Sequence, residues 1–68
     1  MAVLPVGEKP SEEALAAFSE MLLALPEVAG VQWRPEHGWV EVVLDADLPD
    51  EALLAAAREA GLAVDRVD

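Results

Sequence analysis

The chain has 68 residues and no cysteine, and this combination limits what it can fold into. A domain of this size buries only about 60% of the surface that its unfolded chain exposes, so many small domains rely on disulfides or bound metal. Without cysteine there is no disulfide, no thiolate metal site and no thiol nucleophile. The composition is 54% hydrophobic, mostly Ala, Leu and Val. We therefore expect one domain, residues 1–68, held together by its apolar core alone.

The first of two predicted helices begins at Ser11 and runs to about Leu25. Ser11 is a good N-cap residue, and Glu12 and Glu13 fall in the first turn, where the helix dipole favours negative charge. Pro26 ends the helix. Its apolar stripe has helical spacing and consists of Ala14, Phe18, Met21, Leu22 and Leu25.

The second predicted helix follows the acidic segment Asp45-Ala46-Asp47. We expect Asp47 or a neighbouring residue to cap it, with Pro49 in its first turn. Gly61 is a natural residue to follow the helix C-terminus. The buried stripe is supplied by Leu53, Leu54, Ala56, Ala57 and Ala60.

Four segments alternate as strands do, at 2–6, 31–34, 39–44 and 62–67, with a turn at 35–38. Pro5 has no N–H, so it must use a side of its strand, or a bulge, that needs no donor there. The alternation directs one set of side chains in each of the last three strands toward the helices. These side chains are Val31 and Trp33, then Val40, Val42 and Leu44, and finally Leu62 and Val64. The predicted fold class is α+β, a ferredoxin-like βαββαβ sandwich whose two helices cover one face of an antiparallel sheet.

The charge balance narrows the possible partners. Fourteen acidic residues stand against four basic ones, for a net charge of −10. Nucleic acids and anionic membranes are bound by clustered Lys and Arg, so we expect neither as a partner. The N-terminus has no basic start followed by an apolar run, which favours a soluble, cytoplasmic protein. The chain has no Asn and one Gln, a scarcity typical of thermostable proteins.

These residues resemble the heavy-metal-associated domain found in copper chaperones and at the N-termini of metal pumps. The resemblance covers nearly the whole chain and rests on the following positions: Leu25-Pro26-Glu27-Val28, Val31 and Trp33, Gly38 with Val40 and Val42, Asp45-Ala46-Asp47, and Leu53 through Ala60-Gly61. The family often has Leu-Pro-Gly-Val and Ala-Gly-Tyr where this chain has Leu-Pro-Glu-Val and Ala-Gly-Leu. The resemblance implies a small protein of the metal-binding or metal-trafficking type.

The chain departs from this family at the metal site. The family binds Cu(I) or another soft ion through a Cys-x-x-Cys motif at the start of the first helix, and aligning on Val28 places those two positions at Ser11 and Ala14. A hydroxyl and a methyl group cannot replace two thiolates, because soft metals need sulfur ligands. We therefore interpret the site as degenerate.

Two further hypotheses follow from the topology. The loop before the first helix and the hairpin turn lie at the same end of the sheet, so Ser11, Glu12, Glu13 and His37 are candidate ligands for a weakly bound divalent metal ion. The simpler interpretation is a helix cap, two dipole-stabilising carboxylates and one solvated imidazole.

The sequence offers little support for catalysis. One His, two Ser and no Cys or Tyr leave few nucleophile–base pairs, so we do not expect an enzyme.

The second hypothesis concerns the sheet face that the helices do not cover, which we expect to be an interaction surface. Val3, Pro5, Trp39 and Val43 are predicted to lie on it, and an exposed Trp within an apolar patch is typical of an interaction surface. On this alternative the protein is a non-metal interaction module that self-associates or binds a protein partner. The competing interpretation is that Trp39 lies over Arg34 or Pro5 as an ordinary surface aromatic.

Overall fold

Five regular elements follow the predicted order in the computed structural model, which describes residues 1–68. They are β1 (Ala2–Pro5), α1 (Glu12–Leu23), β2 (Val28–Arg34), β3 (Trp39–Leu44) and α2 (Asp50–Ala60). The strands form one antiparallel sheet in the order β1-β3-β2. Both helices pack on the same face of this sheet, and residues 62–68 run beside β1. The fold is the ferredoxin-like arrangement that the sequence predicts.

Helix α1 begins as predicted and ends two residues early. The Ser11 hydroxyl accepts a hydrogen bond from the Ala14 N–H at 3.1 Å, which satisfies one of the free donors of the first turn. The helix stops at Leu23 rather than Leu25, because Leu25 bonds to the Leu22 carbonyl in a tighter turn. The residue before a proline avoids helical backbone, which accounts for the early end.

Helix α2 begins differently from the prediction. Asp47 does not cap it; the N-cap position is Pro49, which makes no side-chain cap hydrogen bond. Leu48 precedes this proline and so disfavours helical backbone, which keeps the helix from starting near Asp47. The Pro49 carbonyl accepts from the N–H groups of Ala52 and Leu53. At the other end Gly61 has the left-handed φ of 92°, as a helix-terminating glycine should.

Strand β2 starts earlier than predicted, at Val28 instead of Val31. The pairing with β3 shifts between Val28 and Gly30, so Ala29 is the extra residue of a β-bulge. Beyond the bulge the register is regular and ends with Arg34 opposite Trp39. The turn at 35–38 then closes the hairpin, with Gly38 at a φ of 74°.

The prediction of a strand at 62–67 is wrong, because this segment does not form a regular hydrogen-bonded ladder with β1. Val3 and Asp68 exchange two backbone hydrogen bonds, and Gly7 donates one to the Ala63 carbonyl, but nothing pairs between them. The middle position of the stretch from Val3 to Gly7 is Pro5, the last residue of β1, which has no N–H to offer on this side. The segment from Ala63 to Asp68 is also one residue longer than the stretch from Val3 to Gly7 that it faces. Missing donor and extra residue together prevent a continuous ladder.

The core lies between the helices and the inner face of the sheet. Its largest fully buried side chains are Phe18, Leu4, Leu22, Leu53, Val40 and Val42. Leu62 and Val64 are buried as predicted, although their segment is irregular. Val31 and Trp33 also face the helices, but they are only half-buried against this core. No polar or charged side chain is buried, so apolar packing alone fills the interior.

Candidate functional site

The start of α1 is a complete helix cap. The Ser11 hydroxyl is committed to the Ala14 N–H, and Glu12 and Glu13 extend from the first turn as exposed side chains. Neighbouring helical residues point in different directions, so these two carboxylates do not converge. Local helix chemistry therefore accounts for all three polar side chains.

The hairpin turn lies at the same end of the sheet as the loop that leads into α1. Val6, just before that loop, donates to the Gly38 carbonyl at 2.9 Å, and Gly7 donates to the Ala63 carbonyl at 3.0 Å. His37 is exposed in this turn and stacks on Trp39, with ring centroids 4.3 Å apart and an interplanar angle of 14°. The predicted convergence of the loops is thus present.

The candidate metal ligands nevertheless do not form a preorganised site. Nowhere in the structure do three or more His, Cys, Asp or Glu side chains come together as a group able to hold a metal ion. Ser11, Glu12 and Glu13 belong to the helix start, whereas His37 lies against Trp39. An ion at this end of the sheet would have to gather exposed side chains from separate loops.

The open sheet face carries an ordered polar and aromatic cluster. Glu41 accepts one hydrogen bond from Trp39 Nε1 at 3.2 Å and another from Arg34 Nε at 3.1 Å, one on each carboxylate oxygen. Glu36 approaches the other side of the Arg34 guanidinium at 4.0 Å. With His37 stacked on its ring, Trp39 is held by two contacts besides the strand itself. We call these five residues the Trp39 cluster.

The electrostatics of the Trp39 cluster centre on Glu41, whose side chain is 16% exposed. The hydrogen bond from Trp39 lowers the pKa of Glu41 most, and the hydrogen bond from Arg34 lowers it further, while partial burial opposes both. The charged carboxylate is therefore the form that the cluster stabilises.

The four residues predicted for the interface lie on this same face. The register places Pro5 beside Trp39 and Val3 beside Glu41, while Val43 lies one further step along β3. Val3, Pro5 and Trp39 are half-buried and Val43 is 46% exposed. The N–H of Trp39 and one face of its ring are already engaged, by Glu41 and His37 respectively.

Sequence reasoning missed how Trp39 is held. Glu41 follows Trp39 by two positions on one strand, so their side chains share a face, and Arg34 is opposite Trp39 across the hairpin. That spacing was the available signal for the cluster. The stack of His37 on Trp39 depends on the turn geometry, and the alternation of residues does not encode it.

One open groove, with a volume of about 450 Å³, lies between the end of β1 and residues 62–66. It is lined by Pro5, Val6 and Gly7 on one side and by Leu62 through Arg66 on the other. As for membranes, neither helix has the length and apolar character needed to cross one.

Comparison with solved structures identifies a protein of the same fold. The chain is similar to the solution structure of the yeast copper transporter domain Ccc2a, which was determined in its apo and Cu(I)-loaded states. The TM-score is 0.73, the sequence identity is 14%, and the match covers 98% of this chain and 96% of the other. At this identity the likeness shows the fold alone, which is the ferredoxin-like fold. No family model matches the sequence, and no curated protein does either.

A Cu(I) ion does not fit the residues that this chain offers at the start of α1. The two positions expected to carry thiolates hold a serine hydroxyl and the methyl group of Ala14, which is buried. The hydroxyl already accepts a hydrogen bond from the helix, and the remaining sulfurs of the chain belong to Met1 and Met21. Soft-metal coordination needs paired sulfur ligands, and none is present at this end of the molecule.

Proposed function

We propose that this protein is a small non-catalytic domain of the metal-trafficking type whose thiolate site has been lost. One contrast supports this proposal. The chain shares its fold over nearly its full length with a copper transporter domain, but the start of its first helix has no thiolate ligands. The fold of such a domain is present, while Ser11 caps the helix at the position where the family binds its metal. Cu(I) held between two thiolates is therefore excluded from its role.

The proposal includes weak divalent binding at the same end of the sheet. Ser11, Glu12, Glu13 and His37 offer oxygen and imidazole ligands that suit Zn²⁺, Mn²⁺ or Ca²⁺ better than Cu(I). These side chains are not gathered into one cluster, so binding an ion would cost the conformational entropy of ordering them. The affinity should therefore be low.

Restoring the thiolates is the direct test. We expect Ser11→Cys/Ala14→Cys to gain saturable Cu(I) binding, with the wild-type chain as the matched control that gains none. Circular dichroism checks that the double variant folds. Failure of the folded variant to bind Cu(I) would mean that the start of α1 does not have the geometry of a metal-trafficking domain. Tight Cu(I) binding by the wild type would contradict the loss of the site.

The divalent site is tested separately by titrating Zn²⁺ and Ca²⁺ while following backbone amide shifts. Weak, saturable shifts confined to residues 8–14 and 36–38 are the expected result, and they should shrink in His37→Ala. Shifts spread evenly over the acidic surface would instead indicate non-specific attraction to a chain of charge −10.

A second candidate function is protein binding through the open sheet face, and the Trp39 cluster favours it. An aromatic side chain already fixed by a hydrogen bond and a ring stack loses little freedom when a partner covers it, which favours binding. Val3, Pro5 and Val43 provide apolar surface next to it. Comparing proteins crosslinked to the wild type, to Trp39→Ala and to Leu23→Ala tests this. Leu23 is a matched control, since it is 54% exposed on α1. A partner lost only with Trp39→Ala supports the candidate, and one retained by it contradicts it.

A further inference from the structure

The two edges of the sheet are built differently. On one side, residues 62–68 cover β1 irregularly and carry Asp65, Arg66 and Asp68, and charge and irregularity are common means of blocking strand addition. On the other side β2 ends the sheet, and no strand pairs with its outer edge. The β2 edge is therefore the one that can accept another strand.

The pairing pattern shows which backbone groups of β2 are free. Val6 donates to Gly38, so even-numbered residues of β3 direct their backbone groups toward β1 and odd-numbered ones toward β2. The β2 residues opposite those odd positions are Gly30, Gln32 and Arg34. The alternate residues Val31 and Trp33 must point their N–H and C=O groups outward, and neither takes part in any backbone hydrogen bond of a loop or turn.

The same edge is uncharged and incompletely covered. Residues 28–33 contain no ionisable side chain, in a chain whose net charge is −10. The side chains of Val31 and Trp33 face the helices but remain half-buried, so apolar surface is left at this rim of the core. Two copies of so acidic a protein repel each other at most surfaces, and this edge presents no like charge to oppose their approach.

We propose that two copies of this chain pair antiparallel through β2, about a twofold axis at Gln32. This register brings Val31 of one copy opposite Trp33 of the other, so the outward backbone groups of both bond to each other. It also forms an aromatic–β-branched side-chain pair, a favourable combination across strands. Arg34 then faces Gly30, so charged side chains do not oppose each other.

The bulge at Ala29 sets the limit of this interface. Regular pairing extends only over residues 30–34, because the strand bends where the register shifts. A contact this short lies well below the area of stable dimers, so the association should be weak and concentration-dependent. Self-association through β2 leaves the start of α1 and the open sheet face free, and it is therefore independent of the function proposed above.

The absence of cysteine makes a direct test possible. In this register the two Gln32 residues form a non-hydrogen-bonded pair with Cα atoms about 4.5 Å apart, within the range of disulfides. Under mild oxidation we expect Gln32→Cys to form a covalent dimer at least about five times faster than Val43→Cys or Ala55→Cys. These two controls are also exposed, on the open sheet face and on α2 respectively. Equal rates at the three positions, or a faster reaction for Val43→Cys, would overturn the proposal.

A non-covalent version removes any effect of the crosslink itself. Gln32→Glu and Gln32→Lys each place like charges opposite one another, so sedimentation should show the dissociation constant of each variant rising about two- to fivefold. An equimolar mixture of the two should associate at least as well as the wild type, because opposite charges then pair. A wild type that stays monomeric at millimolar concentration, or a mixture no better than either variant, refutes pairing at β2.

Discussion

The two tryptophans of the hairpin are close in sequence but lie on opposite faces of the sheet, and different interactions hold them. Trp33 faces the helices and packs against the apolar core. Trp39 faces outward, where a carboxylate accepts from its N–H and an imidazole stacks on its ring. The inner face is therefore stabilised by burial of apolar area, and the open face by polar contacts that keep an aromatic side chain at the surface. Removing side chains from the two faces should have unequal effects.

The largest difference is expected for aliphatic residues on neighbouring strands. Leu4 is fully buried on the inner face, so Leu4→Ala should lower the free energy of unfolding by about 2–5 kcal/mol. Val43 is 46% exposed on the open face, and Val43→Ala should change it by no more than about 0.5 kcal/mol. Urea denaturation of both variants measures the contrast. Similar losses for the two would mean that the open face is covered in solution.

The two tryptophans test the comparison more closely. Trp33→Ala should cost about 2–3 kcal/mol, below the value of about 3–5 kcal/mol for a fully buried aromatic, because the side chain is half-buried. Trp39→Ala should cost about 1–2 kcal/mol, chiefly one hydrogen bond and part of its apolar contact. Thermal unfolding followed by circular dichroism gives both values. A larger loss for Trp39→Ala would reverse the assignment of roles to the two faces.

Much of this asymmetry was predictable from sequence, because strand alternation assigns side chains to faces. The alternation at 31–34 and 39–44 placed both tryptophans correctly, and the residues 11–13 located the start of α1. The prediction was wrong where backbone chemistry interrupts a pattern. Pro5, at the end of β1, has no N–H to donate, so the alternating segment 62–67 does not form a continuous ladder beside it. Pro49 likewise fixes the start of α2 against the preference of Asp47 for a cap.

The candidate sites divide along the same line. Sequence located the loops that meet at one end of the sheet, since that follows from topology. It could not tell whether their side chains converge, because this depends on directions within the first turn of α1 and within the hairpin turn. In the structure Ser11 caps its own helix and His37 stacks on Trp39, and the candidate ligands do not form a group able to hold a metal ion. The side chains that do converge are Glu41, Arg34 and Trp39, and they are not a set that could hold a metal ion.

The smallest expected effect concerns the charge at the centre of the Trp39 cluster. The pKa of Glu41 is lower in the folded protein than its ordinary value of 4.5, first through Trp39 and then through Arg34. A lowered folded-state pKa adds stability that is present above the unfolded pKa and is lost as pH falls through the folded pKa. The wild type should therefore lose stability from about pH 4.5 downward, and Glu41→Gln should lose less over the same range.

The comparison of these two proteins isolates Glu41 from the other carboxylates. Acidification also neutralises the rest of the acidic surface, and this relief of repulsion acts equally on the wild type and on Glu41→Gln. Their difference in unfolding free energy, measured by urea denaturation at several pH values between 3 and 7, reports the cluster alone. It should be constant near neutral pH and shrink below about pH 4.5. A difference that stays constant down to pH 3 would mean that the carboxylate gains nothing from Trp39 and Arg34 in solution, and the open face would then lack the polar anchoring that distinguishes it from the inner face.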